Sequence, residues 1–516
     1  MGLMGFQMFT NNIDFVKFYE ASSSNGIEEP KGVPKFLEMQ ECYNICMAAY
    51  KEVMTMAVKA NTWVVEVPLL GSIEELQQMF RAPPSPGMEI EYSIDSGVVP
   101  FKLETVVAAM TNVDEWASAL SNIVHHRTDE VPSGVMSNLA CNTPPHTRDN
   151  FKGVKTINAE LLLPMPCMPT RKFSFVRFLR QVIPDVWAVV DVSTDYFPHI
   201  DSTLKVNCKR RPSGVIIRRR DDHSEVIWIE NMEVQKCNVQ DSIYSGVINS
   251  NLAFGAKRWI STLSTKEKRI ESRFVTLRLP NNFSQAFSVR VALLTLTRRL
   301  KKAYLNYITE HPDETKWDLL SDTGVQILKD ADAEGKDNYM AVTTFRVKAT
   351  PSTVFNFLVK RTRELQWSHL EEMEEPEEVI TLVTDDDSNC ITLHAKSVMQ
   401  TESAENFEYV LQEASRDEFC SFIIASPISQ SEVNSALGLG KSSCALRPFG
   451  FSIIPDGSRG LLSGASLVTM AFQRELDADL ETSEVIEGMS NHVSDIVGAI
   501  NEAYSAVTVG EEATEL

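Results

Sequence analysis

No apolar run in this sequence approaches the roughly 20 residues that a bilayer-spanning helix requires, which excludes a helical membrane span within it. The Met-rich N-terminus has neither the basic segment nor the small-residue cleavage site of a secretory signal, and Phe6 stands where an N-myristoylation motif needs Ser or Thr. Positive charge is short: 49 Lys and Arg face 70 Asp and Glu, a formal net charge of −21 at pH 7. That balance excludes nucleic-acid binding driven by the overall field, because phosphate contact needs clustered cations. Cysteine is sparse as well. Nine thiols scattered over 516 residues exclude a disulfide framework and predict free thiols in an intracellular, reducing setting. Cys42 and Cys46 lie four apart on a helical pattern with no second Cys/His pair at matching spacing, so no metal site is expected. Catalytic signatures are missing too. There is no G-x-S-x-G elbow, no H-E-x-x-H and no G-x-x-x-x-G-K-[ST] loop; Gly438 and Gly440 miss the last spacing, and His125-His126 reads as a solvated loop pair. Neither an enzyme nor a cofactor is expected.

What remains is a chain of ordinary globular composition, 43% apolar and 23% charged, long enough for two to four domains. Residues 1–35 read as a flexible lead. Helical spacing covers Phe36 to about Ala60, residues 64–102 are irregular, acidic and Pro-rich, and a short helix ends at Trp116. Strand patterns follow at Ile157–Leu163, Arg171–Arg180, Val186–Val192, Gly214–Arg218 and Val226–Glu233, the last two forming a hairpin around Asp221-Asp222. An apolar stripe through Ile248, Leu252, Ala256, Trp259, Ile260 and Leu263 predicts one long helix from Ser242 to about Ile270. A helix at 284–308 separates this half from a second of the same plan: a helix before Trp367, strands between about 379 and 474, and a closing helix through Val485, Met489, Val493, Ile496, Ile500 and Tyr504. The expected fold is therefore α+β, with two helix-grip domains from an internal duplication, each a curved antiparallel sheet around a long C-terminal helix. The expected divisions are 36–275, 279–508 and an acidic tail at 509–516.

Two basic runs have two readings each. Lys209 to Arg211 with Arg218 to Arg220 is a phosphate-contacting hairpin or, as favoured by the capping Asp221 and Asp222, a charged edge that resists strand pairing. Arg298, Arg299, Lys301 and Lys302 form a nuclear import signal or, as favoured, a solvated helix face.

The strand RKFSFVRFLRQ sets Phe173, Phe175, Arg177 and Leu179 on one face. A guanidinium in an apolar row must be paired or must meet a polar ligand group, since an isolated buried charge costs several kcal/mol. Glu160, one strand earlier, is the best candidate partner in the sequence, although Leu161 and Leu163 mark the other face of its strand as apolar. Arg177 is then either a polar anchor at the blind end of a pocket or part of a salt bridge closing a filled core. The candidate cavity residues are Arg177, Glu160, Phe173, Phe175, Trp187, Trp228, Leu252 and Trp259.

RKFSFVR resembles the R-D-F-V-x-V-R strand of START lipid-transfer domains, and EVIWIENMEV with the helix from Ser242 resembles their W-x-x-x-x-D/E strand and lid helix. AVVDVS, RRPSG, WIENMEV, NSNLAFGAKRW and FSIIPDG are similar to segments of plant class IV homeodomain leucine-zipper transcription factors, over about Ala48 to Tyr504. The resemblance implies a helix-grip START domain for a lipid or sterol, then the START-adjacent domain of those factors. It also implies that Arg177 is a cavity residue, paired with Glu160; Lys172 stands where the motif has an acid. No W-F-x-N-x-R recognition helix and no run of leucine heptads occurs here, so sequence-specific DNA binding is not expected. The expectation is a lipid- or sterol-responsive regulator in the nucleus or cytoplasm. The rival is an interaction protein whose START fold is filled with side chains, and which partners or competes with full-length relatives.

Overall fold

The computed structural model describes residues 36–60, 74–130, 151–166, 170–198, 200, 206–236, 243–265, 272–277, 286–309, 317–330, 336–363, 377–384, 389–395, 409–429, 432–433, 446–477 and 480–511. The first half runs through α1 (Phe36–Ala60), α2 (Glu74–Arg81), β1 (Met88–Val99), α3 (Leu103–Thr111), α4 (Val113–Ala119), β2 (Val124–Glu130) and β3 (Phe151–Leu161). It continues with β4 (Arg171–Ile183), β5 (Val186–Ser193), β6 (Cys208–Arg210), β7 (Ser213–Arg220), β8 (His223–Gln235), α5 (Ser245–Asn249) and α6 (Ala256–Ser264). The strands form a curved half-barrel in the order β1-β8-β7-β5-β4-β3-β2, with β6 paired to β8. Period-two alternation leaves both faces apolar. Val176, Phe178, Val190, Ile216, Ile227 and Ile229 face α1, which packs through Cys42, Cys46, Tyr50 and Val53. Phe175, Val189, Val215, Ile217 and Trp228 face the other way and are closed in by α3, α4 and α6. The Asn112 side chain caps α4 by accepting from the backbone N–H of Asp114 and Glu115. Burial among apolar neighbours pushes the Cys46 thiol well up.

Two expectations fail here. The reading of 64–102 as irregular missed α2 and β1, although Ile90, Tyr92 and Ile94 alternate with acids and serine as a strand should. The single helix over 242–270 is instead two short pieces. Asn251 adopts φ 57°, and a Cβ at Gly255 would overlap the Asn251 carbonyl, so the chain turns between α5 and α6. Leu252, Ala253 and Phe254 are buried in that turn, which is why the apolar stripe hid the break. Residues 242 and 266–270 lie outside the described ones.

The second half comprises β9 (Arg273–Leu277), α7 (Ala286–Thr309), β10 (Trp317–Asp322), β11 (Gln326–Asp330), β12 (Lys336–Val347), α8 (Pro351–Arg363) and β13 (Glu377–Val383). Next come β14 (Cys390–Ala395), β15 (Tyr409–Arg416), β16 (Ser421–Ile428), β17 (Phe449–Pro455), β18 (Ser458–Leu461), β19 (Ser466–Asp477) and α9 (Thr482–Glu511). Its sheet runs β10-β11-β12-β19-β17-β16-β15-β14-β13-β9, and the central segment from β12 to β13 repeats the strand order of the first sheet. The likeness reaches single residues. Arg211-Pro212-Ser213-Gly214 enters β7 and Arg447-Pro448-Phe449-Gly450 enters β17. Each Arg pairs with an acid on the next strand of its sheet, Glu233 at 3.0 Å and Glu475 at 2.6 Å. Each Gly has positive φ and lies where a Cβ would overlap a carbonyl on a neighbouring strand of its sheet, Val189 or Ile423.

The second sheet is nevertheless not a helix grip, because it is neither closed nor curled. Extra strands extend it at both edges, β10 and β11 on one side and β9 on the other. Helices α8 and α9 cover one face through Val354, Phe355, Leu358, Val485, Met489 and Val493. Helix α7 covers the other through Leu293, Leu296, Leu300, Tyr304 and Leu305, in a core continuous with the first half. The halves also bond directly: Ser452 Oγ donates to Pro164 O at 2.7 Å, and Asn122 Nδ2 donates to Asp417 at 3.1 Å. The solvated-face reading of the α7 cations fails at Lys301, which is 5% exposed, donates to Ser415 Oγ at 3.2 Å and lies 3.7 Å from Glu413.

The paired glycines make a test. Gly214→Ala and Gly450→Ala should each cost about 2–3 kcal/mol by displacing the neighbouring strand, read as a shift in urea midpoint at constant slope. A neutral Gly450→Ala would break the equivalence. The turn after β17 makes another. Burial acts to raise the Asp456 pKa, but hydrogen bonds from Ser458 and Arg346 outweigh it and hold the carboxyl below its usual range. A depressed carboxylate stabilises the fold above its unfolded pKa and loses that contribution as pH falls. Asp456→Asn should therefore cost about 1–2 kcal/mol near neutrality and progressively less below about pH 4.

Candidate functional site

Arg177 on β4 faces Asp191 on β5 in register, and its Nε and Nη2 donate to the two Asp191 oxygens at 2.7 Å each. Nη1 reaches the Met110 carbonyl at 3.3 Å. Asp191 also lies 3.4 Å from Arg210 Nη1, and Arg210 Nη2 donates to Glu230 at 2.5 and 2.7 Å. Glu230 in turn accepts from Trp228 Nε1 at 2.7 Å. These two cations and two acids are all 3% exposed or less. Burial, with the nearby Asp191 charge, raises the Glu230 pKa against the pull of Arg210 and the Trp228 hydrogen bond. Each carboxylate answers a guanidinium, so the network carries two charges of each sign and meets the condition under which buried ions are tolerated.

An aromatic stack covers this network. Trp259 of α6 lies between Trp116, at 6.3 Å and 13°, and Trp228, at 5.3 Å and 17°. Phe175 meets the Trp116 ring edge-on at 6.2 Å. The Arg177 guanidinium sits 4.4 Å from the Trp116 ring centre, and that of Arg210 sits 5.2 Å from Phe175 and 5.7 Å from Trp259. Trp259 Nε1 donates to the Phe254 carbonyl at 3.2 Å. In this network Trp116 Nε1 and the Nε and Nη1 of Arg210 are buried donors with no hydrogen-bond acceptor.

Of the predicted cavity residues, Phe173, Phe175, Arg177, Trp228, Leu252 and Trp259 lie in the core gripped by the first sheet, with Trp187 half-buried at its margin. Glu160 is not the partner of Arg177. It pairs across β3–β4 with Lys172, whereas Arg177 faces Lys155 there, and it accepts from Thr170 Oγ1 at 2.5 Å. The acid comes from the following strand: a register shift between Gln181 and Ile183 in the β4–β5 hairpin sets Asp191 opposite Arg177, where an unbroken count from the turn would set Val192. Trp116, Asp191, Arg210 and Glu230 were all missed. Arg210, read as part of a surface hairpin, is buried, as is Arg211, paired to Glu233. Arg218 and Arg220 pair with Glu225, and Arg219 with Glu104 and Asp185, so these three cations are answered by carboxylates of the first half.

Trp116, Phe173, Phe175 and Trp259 are 0% exposed, so not even a water molecule fits beside them. Space lies elsewhere. A cavity of about 780 Å³ separates the two halves, lined by Asn122, His125, Thr262, Arg298, Lys302 and Arg416 among others. A second of about 610 Å³ borders the outer side of α6 at Lys257, Ile260, Ser261 and Ser264. His125 and His126 lie on β2, not on a loop. Among the described residues no cluster of His, Cys, Asp and Glu has the make-up of a metal site.

The START domain family matches residues 46–269, and the family described as PDF2-like, C-terminal domain matches residues 286–506. The chain is 27% identical to the homeobox-leucine zipper protein HDG3 of Arabidopsis thaliana, over 85% of this chain and 61% of that protein. It is 28% identical to ROC4 of Oryza sativa subsp. japonica, over 92% and 62%, and 25% identical to GLABRA 2 of Arabidopsis thaliana, over 89% and 64%. It thus spans less than two thirds of the length of these curated relatives. Among solved structures, human StAR-related lipid transfer protein 5 is 15% identical, covering 42% of this chain and 99% of its own, with a TM-score of 0.28.

Arg177→Met should destabilise the protein by about 3–5 kcal/mol by leaving buried acid in excess, while Arg177→Met with Asp191→Leu should recover much of the loss. Denaturant titration of both variants checks this; a single variant as stable as the parent would show that the network is not what holds the core.

Proposed function

We propose, for a chain homologous to plant class IV homeodomain leucine-zipper proteins that joins a START domain to a PDF2-like C-terminal domain, that it is a non-catalytic regulator whose START domain takes a lipid or sterol between the first sheet and α6. The observation that carries this reading is the set of unanswered donors, Arg210 Nε and Nη1 with Trp116 Nε1, beside Trp259 at the buried network. An acceptor oxygen on a ligand would recover about 1–3 kcal/mol per group. Entry requires Trp259 and its neighbours Ile260 and Leu263 to leave, at about 1.5–3 kcal/mol each. A ligand burying about 500 Å² of apolar surface returns about 12 kcal/mol at 25 cal/mol per Å². The margin is small once the entropy of association is counted, so apolar area alone does not suffice and the polar end group decides.

The alternative is an interaction protein with a permanently filled START fold, and the tryptophan stack favours it. The 516 residues hold no W-F-x-N-x-R helix, so on either reading these residues act on the regulatory side, with full-length relatives as candidate partners in the nucleus or cytoplasm. Native mass spectrometry of the purified protein, with fluorescent-sterol uptake from phosphatidylcholine vesicles, separates the two. Retained lipid or saturable uptake, lowered at least tenfold by Arg210→Met, supports the ligand reading. No retention and no uptake, with undiminished capture of a full-length relative after delipidation, sinks it and leaves the interaction role.

A further inference from the structure

Helix α5 meets the second sheet backbone to backbone. A Cβ at Gly246 would overlap the Asp456 carbonyl, and a Cβ at Gly457 would overlap the Gly246 carbonyl. Gly457 has φ +77° and suits a turn, but Gly246 is helical, a position where glycine is normally unfavourable relative to alanine. The contact accounts for it. The turn is itself held firmly: Asp456 accepts from Ser458 N at 3.1 Å and Oγ at 2.7 Å, and from Arg346 at 2.7 and 2.9 Å. A second fastening lies on α6. Arg258, 2% exposed, donates to the carbonyls of Leu162, Ala253 and Asn122, and its guanidinium lies 4.8 Å from the ring centre of Phe419 in the second half. Between these points the outer surface of α6 borders both cavities, about 780 and 610 Å³.

We propose that the β17–β18 turn of the second half is a latch on the α5–α6 lid of the START domain, so that opening of the grip and release of this turn are one linked event. Displacing Trp259 moves α6, α6 pulls on α5, and α5 cannot tilt without separating Gly246 from Gly457. The cavities behind α6 leave room for that movement while the Ser452–Pro164 bond keeps the halves together. Linkage is reciprocal: whatever holds the turn down weakens ligand uptake by the factor by which ligand loosens the turn. The ligand half of this proposal rests on the reading of the grip given above; the latch does not.

The test is hydrogen exchange on the full chain carrying Gly246→Ala, with Gly488→Ala as control, since Gly488 lies on α9 with open space around it. The latch predicts roughly tenfold faster exchange in peptides spanning 245–264 and 456–462 for Gly246→Ala, and no change for the control. Unchanged or slower exchange, which alanine's helix propensity alone would give, overturns it. Asp456→Asn loosens the turn without adding bulk and reads the same peptides if the first variant does not fold. Faster sterol uptake by the loosened variants supports the full linkage. Faster exchange with no uptake by any variant keeps the latch and removes the ligand.

Discussion

Arg177, Asp191, Arg210 and Glu230 form a neutral chain of charges with almost no access to water, and the first domain is arranged around keeping it so. The four residues come from β4, β5, β6 and β8. A one-residue slip of any of these strands would turn a charged side chain onto the opposite face, among Val176, Ile216 and Ile229. Buried ion pairs add little net stability, because desolvation offsets the Coulomb gain; their effect here is to make the wrong register expensive. The tryptophans follow from the same constraint. Flat aromatic faces over guanidinium groups exclude water while still stabilising the cation, so Trp116 and Trp259 seal the network and fix where α6 lies.

The second sheet shows what happens to the same strand order without that constraint. Its equivalent of the ion chain is reduced to the Lys301–Glu413 contact at 3.7 Å, made by α7 and not by a second strand. Its remaining inward positions are filled by Leu393, Leu411, Phe422 and Ile424 against α7. With no ion chain linking its strands and with extra strands added at its edges, the sheet stays open. The two sheets share the order of strands and the R-P-x-G entry into β7 and β17, while the curvature that makes a grip is found in the first alone.

What was legible from sequence follows from this difference. Strands β4, β5, β7 and β8, helix α7 and the closing helix α9 carry clean periodicity and stand where periodicity puts them. The placement of Arg177 in an apolar row was also readable, because alternation is local. Its partner was sought on β3, where Glu160 offered an acid one strand earlier; the register, set by the turn at Asp185 with φ 63° and by a one-residue shift between Gln181 and Ile183, puts Asp191 opposite. Arg210 looked like a surface cation because it is flanked by cations, and nothing local reports that Glu230 lies across the sheet. The openness of the second sheet was not readable, since periodicity does not report which strands join at the edges. β9, β10 and β11, outside the repeat, supply them.

The two halves cannot be treated as independent modules. One continuous apolar core runs from Trp116 and Trp259 through Phe254 to Leu300, Phe419 and Phe422. Removing everything after residue 279 would expose the side of α6 that carries Arg258, lose the Phe419 ring over its guanidinium and free Gly246 from its turn. Weaker partner binding by such a fragment would then report a loosened lid as readily as a missing contact surface. Single-residue changes at the Gly246–Gly457 contact avoid this ambiguity, because they disturb the seam and leave both cores whole.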